Sequence, residues 1–172
     1  MNRVLVAGAT GYLGKNIIKN LVGRAFNTTA IIRTASKFFE PDLPIKVLRA
    51  EVTAAQTLKN CCDGIDVIIS TIGITRQADC LSYMKVDYQA NLNLLNEAKK
   101  SNVKKFIYVS ALHGNSLKSL KIFEAKEKFV DELKASGIDY CIIRPTGFFA
   151  DMAEFYGTPP REITEVKSRI FS

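Results

Sequence analysis

The chain alternates short, continuously apolar runs with longer stretches in which apolar residues recur at helical spacing. Such alternation is typical of βαβ units, in which parallel strands are covered by helices on both faces. The apolar runs predict six strands, at residues 4–7, 29–32, 45–48, 65–69, 106–109 and 140–143. The periodic stretches predict four helices, at residues 13–22, 54–60, 84–100 and 121–136.

This order of elements predicts an α/β fold, a Rossmann-type doubly wound parallel sheet with strand order 3-2-1-4-5-6 and helices on both faces. Thr53 is a predicted N-cap for the short helix, and Gly137 a predicted stop for the last one. A length of 172 residues suits one domain, which we place at residues 1–156. Residues 157–172 lose the pattern and are predicted to be an irregular tail.

A glycine-rich turn separates the first predicted strand from the first predicted helix. In this context the first glycine permits a tight turn, the second lets the backbone approach a pyrophosphate, and the third lets the helix pack on the sheet. Amide groups at the start of the helix then face the negative charge. The turn predicts a dinucleotide site that comprises Gly8, Thr10, Gly11, Tyr12, Leu13 and Gly14.

Three segments resemble the atypical and extended short-chain dehydrogenases/reductases, in particular their NmrA-like branch. They are the turn with its Gly-x-x-Gly-x-x-Gly spacing, the predicted strand that leads into Ser110, and residues 135–149. The resemblance covers about residues 2–153 and implies a nicotinamide dinucleotide as cofactor.

The same resemblance implies further cofactor contacts. Glu51, after the third strand, would meet the adenine. Thr71 and Gly73, after the fourth strand, would lie along the ribose and pyrophosphate, and Pro145 would lie near the nicotinamide.

The end of the second predicted strand bears on the choice between NAD and NADP. An acid there would hydrogen-bond a ribose 2′-hydroxyl, whereas an arginine accommodates a 2′-phosphate. Arg33 comes directly after this strand, Lys37 follows a few residues later, and no carboxylate occurs before Glu40. Because a guanidinium makes a forked, charge-assisted contact to phosphate, NADP(H) is favoured over NAD(H). The alternative is an Arg33 that merely faces solvent.

Carbonyl reduction would also need a proton donor beside the hydride acceptor. Family members supply a tyrosine, a lysine four residues later and a nearby serine. Lys126 occupies the lysine position and Ser110 approximates the serine, so both are candidate catalytic residues, but Ile122 stands in the tyrosine position. The resemblance implies that Lys126 binds the nicotinamide ribose or acts as an acid, against the alternative of an exposed helix lysine. His113 is a further titratable candidate.

Two functions therefore stay open. The first is NADPH-dependent reduction of a small carbonyl, quinone or enone. The second is a non-catalytic NADP(H)-binding regulator or redox sensor that acts through a protein partner. Family members carry a further C-terminal portion that contributes to the substrate pocket, and we expect this chain to lack it.

Composition narrows the classes of partner. No membrane span or signal peptide is recognisable, so we expect a cytoplasmic protein without a membrane partner. The net charge of +7 is spread along the chain, and no nucleic-acid partner is expected, while self-association into a homo-oligomer stays open. No metal site is expected because the cysteines lack zinc-site spacing; they are Cys61, Cys62, Cys80 and Cys141.

Overall fold

The computed structural model describes residues 2–33, 43–74, 81–114, 116–117 and 119–146. The strands are β1 (Arg3–Ala7), β2 (Asn27–Ile32), β3 (Lys46–Arg49), β4 (Val67–Ser70), β5 (Lys105–Val109) and β6 (Asp139–Ile143). The α-helices are α1 (Tyr12–Gly23), α2 (Asn91–Lys100) and α3 (Lys121–Lys134). A 3-10 turn lies at Ala55–Leu58, and a π-helical segment at Met84–Ala90 leads into α2.

The described strands form one parallel sheet in the order β3-β2-β1-β4-β5-β6. The predicted fold class and strand order are confirmed. Successive strands run outward from β1 in one direction and, from β4 onward, in the other. This reversal opens a crevice at the carboxyl ends of β1 and β4, where open α/β sheets bind their ligands.

Helices cover both faces of the sheet, which explains why the strands read as unbroken apolar runs. On one face α1 buries Ile18 against Val4 and Val6 of β1. On the other face α2 and α3 bury Leu94 and Phe129 in a cluster that includes Leu5 of β1. Alternate residues of β1 thus enter different cores, and the strand that leads into the glycine turn is fixed from both sides.

Two predicted helices differ from the structure. The helix predicted at residues 54–60 forms only the 3-10 turn, and Thr53 is wrong as its cap because the Thr53 hydroxyl donates to Glu51 Oε1 at 3.0 Å. Asn60 then takes a left-handed φ of 63°, which turns the chain toward β4. The helix predicted at 84–100 starts as the wider π-helical segment, and Asp87 on this segment is buried.

A membrane-spanning helix, a metal site and a cysteine pair each require particular features of the described residues. No helix within the described ranges is both long and apolar enough to cross a bilayer. No group of three or more metal-ligating side chains gathers in this part of the chain. Cys61 and Cys62 are buried and Cys141 is exposed, whereas Cys80 lies outside the described residues.

Candidate cofactor site

A cavity of about 250 Å³ opens at the carboxyl ends of the central strands. Its described walls include the glycine turn, the end of β2 and the loops after β3 and β4, together with Leu81 and with Val86 of the π-helical segment. These walls bring together predicted cofactor residues that lie far apart in sequence. Those that line the cavity are Gly8, Thr10, Gly11, Arg33, Glu51, Thr71 and Gly73.

The three glycines of the turn meet different surroundings. Gly8 has a φ of 80°, and a Cβ there would lie 2.9 Å from the carbonyl carbon of Thr71. A Cβ on Gly14 would lie 2.9 Å from the carbonyl carbon of Gly8. At Gly11, which lines the cavity, a Cβ would meet the Gly8 carbonyl oxygen at 3.4 Å and no other atom of the described residues within 4 Å beyond its chain neighbours. Gly8 and Gly14 therefore permit backbone packing, and Gly11 keeps space open for a ligand.

The start of α1 supplies the polar groups on this side of the cavity. Gly11 is the N-cap residue and makes no side-chain capping bond. The first turn of a helix leaves its amide groups without intrahelical acceptors, and its dipole favours an anion there. Tyr12, Leu13 and Gly14 are not among the lining residues of the cavity, and Tyr12 is 56% exposed. These three predicted residues could contact a ligand through the backbone.

Thr71 ties the loop after β4 to the glycine turn. Its backbone amide and its Oγ1 both donate to the carbonyl oxygen of Ala7, at 3.0 and 3.1 Å. Two walls of the cavity are therefore held in a fixed relation by one residue.

The side of the cavity formed by the ends of β2 and β3 carries Arg33 and Glu51. Arg33 is exposed and lines the cavity, in agreement with its predicted place at the end of β2. Glu51 Oε1 accepts hydrogen bonds from Thr53, from the amide at 3.2 Å and the hydroxyl at 3.0 Å. This contact orients the Glu51 carboxylate in the wall. Lys37, the other predicted cationic contact, lies outside the described residues.

Lys126 is buried, so the alternative of an exposed helix lysine is wrong. It is 8% exposed, and its Nζ lies 2.7 Å from Oδ1 of Asp87. The contact is an ion pair rather than a well-aligned hydrogen bond. A Cβ on Gly73 would lie 2.8 Å from both charged atoms, so the pair sits directly behind the cavity wall.

Asp87 is the site residue that sequence reasoning missed. Its side chain is fully buried, and Oδ2 accepts a hydrogen bond from the amide of Ile74 at 3.1 Å. The available signal was an acid in register with Ala90 and Leu94 on the apolar face of the predicted helix. A buried acid at such a position generally requires a partner.

Ser110 contacts a second ion pair, in which the carboxylate is buried, and does not line the cavity. Its Oγ donates to Glu127 Oε1 at 3.4 Å. Glu127 makes a two-point ion pair with Arg144, in which Arg144 Nη2 donates to Oε2 at 2.7 Å and Nη1 donates to Oε1. The Glu127 carboxylate raises the pKa of Arg144. Ser110 thus joins β5 to a structural link between α3 and the end of β6.

The other predicted candidates lie away from the cavity lining. The carbonyl oxygen of Pro145 accepts a hydrogen bond from the amide of Leu112 at 2.9 Å, which fixes the loop after β6 but leaves Pro145 off the wall. His113 is exposed in a left-handed conformation with a φ of 59°. Ile122 is half-buried in α3, one turn before Lys126.

Tyr108 places a phenol near the Lys126 ammonium, but in the interior. Its side chain is fully buried, and Lys126 Nζ lies 5.9 Å from the ring centroid. Burial, followed by the carboxylates of Asp87 and Glu127, raises the pKa of Tyr108, so the phenol stays protonated. Tyr108 does not line the cavity and therefore does not replace the missing tyrosine.

Comparison with known proteins connects this geometry to a family. A family model described as NAD(P)H-binding matches residues 8–168. The photosystem II assembly factor Ycf39 of Synechocystis is 26% identical over 91% of this chain and 48% of its own length. The chloroplastic divinyl chlorophyllide a 8-vinyl-reductase of Arabidopsis thaliana is 31% identical over 87% of this chain and 40% of its own length. The chain thus spans about half the length of the curated relatives it matches.

Solved structures share the fold. The Bordetella bronchiseptica enzyme WbmH, solved with NAD+, superposes with a TM-score of 0.70 at 18% identity, over 84% of this chain and 56% of its own. Vestitone reductase from alfalfa superposes with a TM-score of 0.66 at 21% identity, over 84% of this chain and 56% of its own.

Proposed function

Because this chain belongs to the NAD(P)H-binding family, we propose that it binds NADP(H) in the cavity between the glycine turn, β2 and β4. The proposal rests on one observation above all. The cavity begins at the start of α1, where Gly11 leaves room for a ligand, and extends to Arg33. An anion-binding helix end and a guanidinium thus lie at separate points along one cavity, as a dinucleotide with a 2′-phosphate requires.

Each part of the cofactor has a matching group in the chain. The amides at the start of α1 would hold the pyrophosphate, and Arg33 the 2′-phosphate. Glu51 would face the adenine, and the Lys126 ammonium would hydrogen-bond the nicotinamide ribose through the gap at Gly73. Bound NADPH would supply a hydride.

We favour a regulatory or assembly role through a protein partner over carbonyl reduction. Hydroxyls that line the described part of the cavity belong to threonines, and those of Thr53 and Thr71 donate to other protein groups. Lys126 is held by Asp87 and Ser110 by Glu127. A relative that acts in photosystem II assembly supports this role, and the vinyl-reductase relative supports the reductase alternative.

An Arg33→Asp variant is expected to bind NADPH at least tenfold more weakly, since a charge-assisted contact is lost and a repulsive charge is introduced. Affinity for NADH should change by less than about threefold, because NADH carries no 2′-phosphate. Titration of both cofactors by fluorescence gives the two dissociation constants.

Arg24→Asp is the matched control. Arg24 is exposed at the C-cap of α1, at the far end of this helix from the cavity. Its replacement by aspartate makes the same change of charge away from the proposed ligand site. Equal effects of the two substitutions on NADPH binding would mean that Arg33 contributes only to the overall charge, and the NADP preference would then be abandoned.

NADPH oxidation distinguishes the two functions. With a panel of quinones, enones and aldehydes, the favoured role predicts saturable NADPH binding without turnover above the rate of free NADPH. Turnover that disappears in a Lys126→Gln variant, while circular dichroism shows that variant still folded at the assay temperature, would instead establish the reductase.

A further inference from the structure

The buried Asp87 carboxylate contacts two elements that border the cofactor cavity. Oδ1 lies 2.7 Å from Lys126 Nζ on α3, and Oδ2 accepts the amide of Ile74 in the loop after β4, at 3.1 Å. Ile74 itself lines the cavity. The Asp87 side chain thereby fixes both the position of the Lys126 ammonium and the backbone conformation at Ile74 in the cavity wall.

The element that carries Asp87 is anchored to the sheet. The Asp87 carbonyl oxygen accepts a hydrogen bond from Asn91 Nδ2 at 2.9 Å, and Asn91 Oδ1 accepts one from Ser70 Oγ at 2.5 Å. Ser70 is the last residue of β4. Since the residues involved are buried, the position of Asp87 is fixed relative to the strand end where the cavity opens.

Stability alone is a poor reason for this ion pair. Two charges lose their hydration in the interior, and an apolar pair of similar volume is often as stable or more so. The location gives a better reason, because Gly73 is the wall residue over the pair. A side chain at Gly73 would collide with both charged atoms, which lie 2.8 Å from its Cβ position. Glycine at this position therefore lets the ammonium lie directly behind the cavity wall.

We propose that Asp87 is a positioning residue, which holds the Lys126 ammonium beneath Gly73 so that it can hydrogen-bond the nicotinamide ribose of the bound dinucleotide. The inference rests on the proposed cofactor function and deepens it. It predicts that Asp87 acts on the nicotinamide half of the ligand and has no influence on the adenosine half, which lies toward Arg33.

Two ligands distinguish effects on the nicotinamide half of the cofactor from effects on the adenosine half. They are NADPH and adenosine 2′,5′-bisphosphate, which lacks the nicotinamide ribose. In the full chain, Asp87→Asn keeps the shape and an acceptor for Ile74 but removes the charge. We expect NADPH to bind about tenfold more weakly, as when one charge-assisted contact is displaced, and the bisphosphate to bind within about twofold of wild type. Asp131→Asn, the same change at an exposed position of α3, should leave both affinities unchanged.

The alternatives give different patterns. Equal weakening of both ligands would mean that Asp87 only maintains the fold, and unchanged affinities would mean that it has no role toward the ligand; either result overturns the inference. In a Lys126→Gln background the effect of Asp87→Asn on the ratio of the two affinities should vanish, and its persistence would also overturn it. Should Asp87→Asn fail to fold, Asp87→Glu, which moves the charge by one methylene, is tested with the same two ligands and the same expected outcomes.

A wild-type chain that binds neither NADPH nor adenosine 2′,5′-bisphosphate would refute the cofactor proposal itself.

Discussion

Replacing Lys126 with methionine is expected to lower the free energy of unfolding by about 3–5 kcal/mol, because it leaves a buried carboxylate without its partner. Asp87 is fully buried and lies 2.7 Å from the Lys126 ammonium, so the remaining charge cannot recover hydration without local opening. Urea denaturation followed by circular dichroism measures the change.

Two further variants test the cause of this loss. Lys134→Met makes the same substitution at an exposed position of α3 and should change the free energy of unfolding by less than about 1 kcal/mol. Adding Asp87→Asn to Lys126→Met removes the stranded charge and should recover a large part of the stability. If the double variant is no more stable than Lys126→Met, the ion pair is not the source of the effect.

Replacing Gly14 with alanine is expected to destabilise the protein by about 1–3 kcal/mol through overpacking. The added Cβ would lie 2.9 Å from the carbonyl carbon of Gly8 and 3.0 Å from Cα of Ala9. Both are backbone atoms of the glycine turn, so relief requires the turn to move away from α1. The same denaturation measurement reports this loss.

Gly23→Ala is the control within the same helix. Among the described residues, a Cβ at Gly23 meets no atom within 4 Å beyond its chain neighbours and its own helix backbone. Alanine is favoured over glycine in helices by up to about 1 kcal/mol. It should therefore be neutral or stabilising. Similar losses at both glycines would show that α1 does not pack on the turn as the structure describes.

The fold was accessible from the sequence because local patterns and chain connectivity determine it. The apolar run of β1 is continuous since Leu5 and Val6 enter cores on opposite faces of the sheet. With the strands recognised, the reversal of strand order places the ends of β1 and β4 together, and the glycine turn falls at that point. Arg33 reaches the same cavity for the same reason, since it follows β2 directly.

The contacts of the buried polar groups were not accessible in this way. Asp87 and Lys126 are separated by 39 positions in the sequence (126 − 87). They meet because the π-helical segment packs against α3. Ser110 was predicted as a catalytic candidate from its place after β5, but its hydroxyl donates a hydrogen bond to Glu127 of α3. The Thr53 hydroxyl donates a hydrogen bond to the Glu51 carboxylate and does not cap a helix. Each of these outcomes depends on a partner that local patterns do not specify.

We propose that the glycine turn holds the pyrophosphate of a nicotinamide dinucleotide. NADPH titration of a Gly11→Ala variant, compared with wild type, tests this role of the turn most directly. Among the described residues, a Cβ at Gly11 has its nearest non-neighbouring contact with the Gly8 carbonyl oxygen, at 3.4 Å, so the fold should tolerate it. The methyl group would nevertheless occupy space at the start of α1. We predict an unchanged denaturation midpoint and at least about tenfold weaker NADPH binding. Equal NADPH affinity of the two proteins would contradict the claim.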